Sequence, residues 1–372
     1  MNTYDVLVRG SGIVGKSLAL SLARQGLHIA LLLDAANNPS TDVRTFALNA
    51  ASVALLRSLK VWDALPATST TAVHDMHIEG DAANSSLEFS AWSQHVTELA
   101  WIVDAAVLEQ ALANAVKFAP HITQVHSEVP ATLTALCEGR TSATRDALGV
   151  LFDKNDYGQR AIAARLKCSF GHRHTARQWF RSPDVLALLP FGGAQPAPTS
   201  DAAYGLVWSM PERQAQALLA LDATAFNAAL MQATRGEAGD LSLASERGSW
   251  VLMRAQASAW CGPGWVLLGD AAHVIHPLAG QGLNLGLADV NTLTQTLLER
   301  EPWRVLSDEK LLRRYARQRA APTQAMGRIT GGLLHLFAAE QPAVRELRNR
   351  GMSLVNQLTP LKRWLTARAL DA

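Results

Sequence analysis

Gly269-Asp270, His273, Pro277 and the run Gly280-Gln281-Gly282-Leu283-Asn284 bring a carboxylate, a histidine and paired glycines close together in the sequence. A carboxylate at a strand end accepts hydrogen bonds from sugar-like hydroxyls. A helix start bare of side chains offers free N–H groups and the positive end of the helix dipole to an anion. Together they suit a ligand that carries both hydroxyls and negative charge. The elements that must position these groups are legible around them. Trp265 to Leu268 has the length and composition of a buried strand, and it stops at Gly269-Asp270. Ala271 and Ala272 lead into a loop punctuated by Pro277, Gly280 and Gly282. Beyond it, Leu283, Leu287, Val290, Leu293 and Leu297 fall on one helical face. Apolar packing alone requires neither Asp270 nor the two glycines.

A second anion cradle opens the chain. Asp5 to Val8 reads as a strand, and Gly10-Ser11-Gly12-Ile13-Val14-Gly15 fits G-x-G-x-x-G. A helix follows, with Leu18, Ala19, Leu22 and Ala23 on one side and Gly26 at its end; His28 to Leu33 is a second strand. In this β-turn-α-β setting the glycines permit a tight turn and close approach of a pyrophosphate to the helix start. The acid that binds the adenosine ribose should close the second strand. That place falls on Leu33, and the nearest carboxylate, Asp34, comes one residue later. Asp34 either takes the role with a local shift or is a solvated turn residue. Arg9 stands where an apolar or small residue commonly precedes the first glycine.

A chain of 372 residues suggests two domains. A net charge of +2 gives no bulk electrostatic reason to expect a nucleic-acid partner. Cys137, Cys168 and Cys261 are odd in number and widely spaced, which points to a reduced, cytoplasmic setting. No apolar run approaches ~18 residues, so no membrane span is expected. Lys16 and Arg24 interrupt the apolar part of the N-terminus, which therefore does not read as a signal peptide. Cys168, His172 and His174 lack the rest of a tetrahedral ligand set, and His273 and His276 lack the glutamate of a zinc-protease helix, so no metal is expected.

Between the two cradles the chain alternates in character. Arg44 precedes Asn49, a helix cap for a segment using Val53, Leu56 and Leu59. A surface arginine at a helix start is mildly unfavourable, which favours a functional reading of Arg44. Strand-like alternation runs from Ala72 to Val103, and Asp104 caps a helix carrying Leu108, Leu112 and Val116. Ile122 to Val125 and Ala131 to Cys137 are short strands, followed by Glu138-Gly139-Arg140-Thr141-Ser142-Ala143-Thr144-Arg145. Further strands are expected at Arg160 to Leu166, Ala176 to Phe180, Val185 to Leu189 and Leu206 to Ser209. After the Asp270 motif the chain turns helical and basic, with Arg345, Arg348, Arg350, Lys362, Arg363 and Arg368 beside Trp364 and a leucine face.

The sequence G-D followed by H-x-x-x-P-x-x-G-Q-G-x-N, from Gly269 to Asn284, resembles the second FAD motif of the single-component flavoprotein aromatic hydroxylases. His273, Pro277, Gln281 and Asn284 together resemble the ubiquinone-biosynthesis hydroxylases, of the 2-octaprenyl-6-methoxyphenol hydroxylase type. Glu138 to Arg145 resembles the family's D-G-x-x-S-x-x-R motif with glutamate for aspartate, and the segment before it is shorter than the family norm. Three motifs thus occur in the family's order, and the resemblance covers nearly the whole chain.

The resemblance implies an α/β fold: a Rossmann-like FAD-binding domain of the p-hydroxybenzoate hydroxylase type, an inserted β-sheet substrate domain and a helical C-terminus. Residues 1–71, 104–150 and 250–310 are expected in the FAD domain, 72–103 and 151–249 in the substrate domain, and 311–372 in the helical segment. The cofactor-binding set it implies is Gly10, Ser11, Gly12, Ile13, Val14, Gly15, Asp34, Arg44, Asp270, Pro277, Gly280, Gln281, Gly282, Leu283 and Asn284, with no catalytic side chain assigned. It further implies hydroxylation of a polyprenylated phenol with NAD(P)H and O2, through a flavin C4a-hydroperoxide, with contact to the membrane surface or to other ubiquinone-biosynthesis proteins. A catalytically weakened flavin scaffold, or another enzyme on the same fold, is the alternative; Leu33, Glu138 and the short segment favour the scaffold. The W-x-W-x-I-P motif of flavin halogenases is absent.

Overall fold

The computed structural model describes residues 4–33, 42–80, 85–192, 203–275 and 281–338. Asp34, Pro277, Gly280 and the basic segment from Arg345 to Arg368 lie outside these residues. Tyr4–Arg9 is an inner strand of a six-stranded sheet. It pairs in parallel with Ile29–Leu32 on one side and Ala131–Leu136 on the other, and parallel neighbours Ile122–Val125 and Trp265–Leu267 extend the sheet outward. Strands buried on both faces read as unbroken apolar runs, as Val6 to Val8 and Ile29 to Leu31 do. Helices Ile13–Ala23, Ala105–Lys117 and Gln281–Leu298 supply the rest of this core, joined by Leu311, Leu312 and Tyr315 of helix Glu309–Ala338. Residues 126–130 alone connect Ile122–Val125 to Ala131–Leu136, in keeping with the shortened segment.

The second sheet has nine strands, ordered His273–Val274, Gly248–Ala257, Phe152–Cys168, Ala203–Pro211, Asp184–Pro190, Thr175–Arg181, Asp75–Glu79 and Ser86–Ser90, with Leu241–Leu243 pairing separately to Phe152–Cys168. Phe152–Cys168 is longer than the expected 160–166. A register shift between Asp156 and Gln159, with Gly158 at φ +63°, makes a bulge that interrupts the sequence alternation without ending the strand. Gly248–Ala257 pairs along it, so 250–257 joins this sheet and not the dinucleotide-type sheet where 250–310 was expected. Among the described residues of 72–103, strands Asp75–Glu79 and Ser86–Ser90 join the large sheet. Ala100–Asp104 pairs with Thr45–Leu48 on one side and Thr70–Val73 on the other in a small antiparallel sheet. Helices Glu212–Leu219 and Ala223–Thr234 occupy a stretch expected to be β; Asp222 caps the second by accepting from the Ala225 N–H at 2.8 Å.

One face of the large sheet is fastened to the segments around Thr45 and Asp104. A Cβ on Gly205 would lie 2.4 Å from Thr45 Oγ1, so glycine there lets strand Ala203–Pro211 press on strand Thr45–Leu48. Arg165, from Phe152–Cys168, pairs with Asp104 at 2.8 Å and donates to the Asp42 carbonyl. Asp104 also accepts from the Ala106 and Val107 N–H groups, so one buried carboxylate caps a helix and holds a guanidinium from the large sheet. Among the described residues, no helix is long and apolar enough to cross a membrane.

Candidate active site

Gly10 to Gly15 form a turn that tolerates no side chain at two positions. A Cβ on Gly10, which has φ +103°, would sit 2.2 Å from the Cys137 carbonyl oxygen; one on Gly15 would sit 1.9 Å from the Gly10 carbonyl oxygen. Gly12 differs, because a Cβ there meets nothing within 4 Å. Gly12 is also the N-cap of helix Ile13–Ala23, with no side-chain cap and no acid in the first turn. Its uncapped N–H groups therefore border open space. Val14 turns the other way. Its side chain lies between Gly269 and Gly286, where added Cβ atoms would approach it at 3.3 and 2.8 Å. Val14 and partly buried Ile13 thus serve packing.

The second cradle is held the same way. Strand Trp265–Leu267 leads through Leu268 to Gly269, whose φ of +58° turns the chain sharply. From there it crosses to the large sheet, where His273–Val274 form the edge strand, so the Asp270 turn bridges the two sheets. Asp270 is exposed to solvent although protein surrounds it on most sides. Both hold for a group on the wall of an open cleft. Burial pushes its carboxyl up, opposed by His273, Arg140 and Arg44. Arg44 is half exposed and carries a bidentate pair with Asp42, at 2.9 Å from Nε to Oδ1 and 2.6 Å from Nη2 to Oδ2. Asp42 raises the Arg44 guanidinium above its ordinary value, with Asp270 and Glu109 adding to it from a distance. Gly282, at the start of helix Gln281–Leu298, also has nothing within 4 Å of an added Cβ. Asn284 instead points into protein: its Oδ1 accepts from the Asn49 N–H at 3.1 Å and the Ser52 hydroxyl at 2.7 Å, and its Nδ2 donates to the Ala47 carbonyl at 2.9 Å. Gln281 is buried beside it, and Leu283 packs on the core.

The Glu138–Arg145 segment is a fastener. Glu138 accepts from Arg9 at 2.7 Å, Ser142 at 2.6 Å and Thr144 at 2.8 Å. Burial would raise its carboxyl, but Ser142, Arg9 and Thr144 outweigh that and hold it below the usual range. Arg9 and Glu138, the two departures from the usual pattern, are therefore partners, and the additional methylene of glutamate extends the carboxylate toward Arg9. Arg9 also reaches Glu128. Arg145 is 1 % exposed, stacks at 3.7 Å on Phe152 and donates to the Ala271 carbonyl at 3.2 Å. It clamps the Asp270 turn from below and does not face the cleft.

Sequence reasoning missed the groups beneath this turn. Asp289 is fully buried; Oδ2 accepts from the Gly269 N–H at 2.9 Å and lies 2.7 Å from His273 Nε2, while Oδ1 accepts from Arg319 Nε at 2.7 Å. Burial alone would raise this carboxyl, but His273 and Arg319 outweigh it and keep it below the ordinary value. His273 stacks on Trp260 at 5.0 Å, so it supports the turn from the core. Tyr315, one turn before Arg319, donates to the Leu267 carbonyl at 2.9 Å. A carboxylate on the apolar face of helix Gln281–Leu298 was the available signal, because a buried charge requires a partner. Cys168 and His172 are buried as well.

Comparison with known proteins agrees with this arrangement. A family described as "FAD binding domain" matches residues 3–117 and 105–330. The chain is 28% identical over 400 residues to 3-demethoxyubiquinol 3-hydroxylase of Escherichia coli (strain K12), covering 96% of each. It is 26% identical to ubiquinone hydroxylase UbiM of Neisseria meningitidis, covering 97% of this chain and 83% of that one. The structure of PqsL, described as a probable FAD-dependent monooxygenase from Pseudomonas aeruginosa, superposes with a TM-score of 0.75 at 18% identity, covering 94% of this chain and 99% of the other. With the family match spanning both glycine cradles and the sheet between them, the chain belongs to the FAD-binding domain family.

Proposed function

We propose that the chain is an FAD-dependent monooxygenase that hydroxylates a polyprenylated phenol in ubiquinone biosynthesis, with NAD(P)H as reductant and O2 as co-substrate. The observation that carries this reading is that Asp270 and Arg44 act on each other electrostatically, while the helix starts at Gly12 and Gly282 each leave room where a side chain would stand. The Gly10–Gly15 turn, with Ser11, Ile13 and Val14, supports the pyrophosphate side; Asp270 accepts from ribityl hydroxyls. Arg44 and the helix start around Gln281, Gly282, Leu283 and Asn284 favour negative charge on the isoalloxazine, with Asp34, Pro277 and Gly280 completing the set. Bound, reduced FAD supplies the oxygen activation; the protein supplies binding, orientation and exclusion of water. The sheet face that includes Gly205 carries the cross-strand row Ala163, Val207 and Ala187. Side chains this small leave space for a ring between the sheet and the cofactor. The relatives named as ubiquinone hydroxylases support the substrate class. The Arg9–Glu138 pair supports catalysis over the scaffold alternative, since it gives Glu138 a structural reason.

Asp270→Ala should weaken FAD binding about ten- to hundred-fold, the equivalent of one charge-assisted hydrogen bond at roughly 1.5–3 kcal/mol. Flavin titration of the apoprotein measures this, and unchanged affinity removes Asp270 from the site. A prenylated substrate resides in the bilayer, and the basic segment with Arg345, Arg348, Lys362 and Arg363 is suited to an anionic surface, each charge contributing ~1 kcal/mol. Vesicle co-sedimentation should rise with anionic lipid and fall with salt. Replacing those four residues by glutamine should reduce it in folded protein; intact binding in that variant refutes the membrane role.

A further inference from the structure

The residues after strand Ala131–Leu136 bring a cation to the Asp270 turn that the cofactor-binding set leaves out. Arg145 Nη1 donates to the Arg140 carbonyl at 3.4 Å and to the Ala271 carbonyl at 3.2 Å. One buried nitrogen therefore spans both segments and holds the Arg140 backbone beside the turn. The Arg140 side chain is held separately. Its Nη1 donates to the Val251 carbonyl at 3.4 Å, on strand Gly248–Ala257 of the large sheet. That strand pairs through Ala255 and Gln256 with His273–Val274, the segment that leaves the Asp270 turn. Arg140 is thus tied by its backbone to one side of the turn and by its guanidinium to the strand on the other. Gly139 precedes it at φ +75°, and a Cβ there would meet nothing within 4 Å, so the tie borders open space.

The charges around Asp270 differ in how far they are already cancelled. His273 acts on it from strand His273–Val274, but is paired at 2.7 Å with Asp289 of helix Gln281–Leu298, which also binds Arg319. Arg44 acts on it too, and Asp42 holds that guanidinium at 2.6 Å. On the neighbouring helices Lys16 and Glu109 pair with each other at 2.9 Å, and Glu138 is taken up by Arg9. Arg140 also acts on Asp270, and its tie is to a carbonyl, a neutral acceptor that leaves its charge whole. Loss of solvation favours the neutral carboxylic acid, and a fixed cation nearby opposes that. The distinction matters for binding, because a protonated carboxyl gives up part of its capacity to accept hydrogen bonds.

We propose that Arg140 is a positioning residue for the cofactor: tied to Val251, it holds an uncancelled positive charge beside the Asp270 turn and keeps Asp270 the anion that accepts from the ribityl hydroxyls. The proposal rests on the reading of Asp270 as a cofactor residue. Affinity that depends on a charged Asp270 is complete at high pH and is lost as the pH falls through the Asp270 value; removing the cation moves that loss to higher pH. The test is titration of the full-length apoprotein with FAD, with circular dichroism to establish that each variant is folded. Arg140→Gln should match the parent at about pH 8 and bind FAD about two- to five-fold more weakly at about pH 5, the range of one solvent-screened charge pair. High salt should shrink that difference. Arg140→Lys, which keeps the charge, should follow the parent. In an Asp270→Asn background, Arg140→Gln should have no pH-dependent effect, because an amide does not titrate. An equal loss at both pH values means that Arg140 touches the cofactor itself, and unchanged affinity at both means that it has no part; either overturns the proposal. Parental FAD affinity in Asp270→Asn alone is a separate failure, since it removes the reading of Asp270 on which the proposal rests.

Discussion

Asp289→Ala should lower folding stability by about 3–5 kcal/mol, the usual consequence of removing one partner from a buried ion pair. Three groups lose their acceptor at once: the Gly269 N–H, the His273 ring and the Arg319 guanidinium. The loss should reach the cofactor as well, because Gly269 sets the turn that presents Asp270. Arg319→Met, which removes the cation and keeps an apolar side chain of similar length, should be milder. Urea unfolding of the three proteins measures the difference. Acid provides an independent reading. The Asp289 carboxyl is held below its ordinary value in the folded state and returns to about 3.9 on unfolding. Its contribution is therefore complete above that pH and is lost as the pH falls through the folded-state value, so parent and Asp289→Ala stabilities should converge in acid. A variant as stable as the parent at neutral pH contradicts this account of the buried cluster.

Gly15→Ala and Gly12→Ala should separate the fold from the cofactor site. At Gly15 the new methyl group would lie 1.9 Å from the Gly10 carbonyl oxygen, so the turn itself must move. That variant should lose FAD binding together with stability. At Gly12 the new methyl group meets no protein atom within 4 Å. The apoprotein should therefore melt as the parent does, while FAD affinity falls at least about ten-fold, because backbone approach to the pyrophosphate is what glycine permits there. Parental FAD affinity in Gly12→Ala places the pyrophosphate elsewhere.

What could be read from the sequence depended on how local each signal was. The caps at Asn49 and Asp104 form as the residue types suggest, since a cap involves only the next few backbone N–H groups. Gly10 and Gly15 were legible because a steric exclusion leaves only one residue type. Val14 stands inside the same motif, yet its packing against Gly269 and Gly286 joins segments far apart in the chain. Arg9 and Glu138 each look irregular alone and become intelligible only when strands Tyr4–Arg9 and Ala131–Leu136 lie side by side. The same holds for Arg319, whose partner is on another helix. Strand Phe152–Cys168 was underestimated because its bulge breaks the period-two pattern by which strands are recognised. Helices Glu212–Leu219 and Ala223–Thr234 did leave a local trace, the Asp222 cap, in a region whose neighbours are all strands.

The central claim is that the FAD-loaded protein inserts one atom of molecular oxygen into a phenolic ring. Isotopically labelled O2, NAD(P)H and a prenylated phenol, incubated with the FAD-loaded protein and analysed by mass spectrometry, test it most directly. The account predicts a product heavier by a single labelled oxygen atom, formed in step with reduced nicotinamide consumed and diminished in Asp270→Ala. Reduced nicotinamide oxidised only to hydrogen peroxide with every quinone precursor supplied, and no label in any ring, would contradict it.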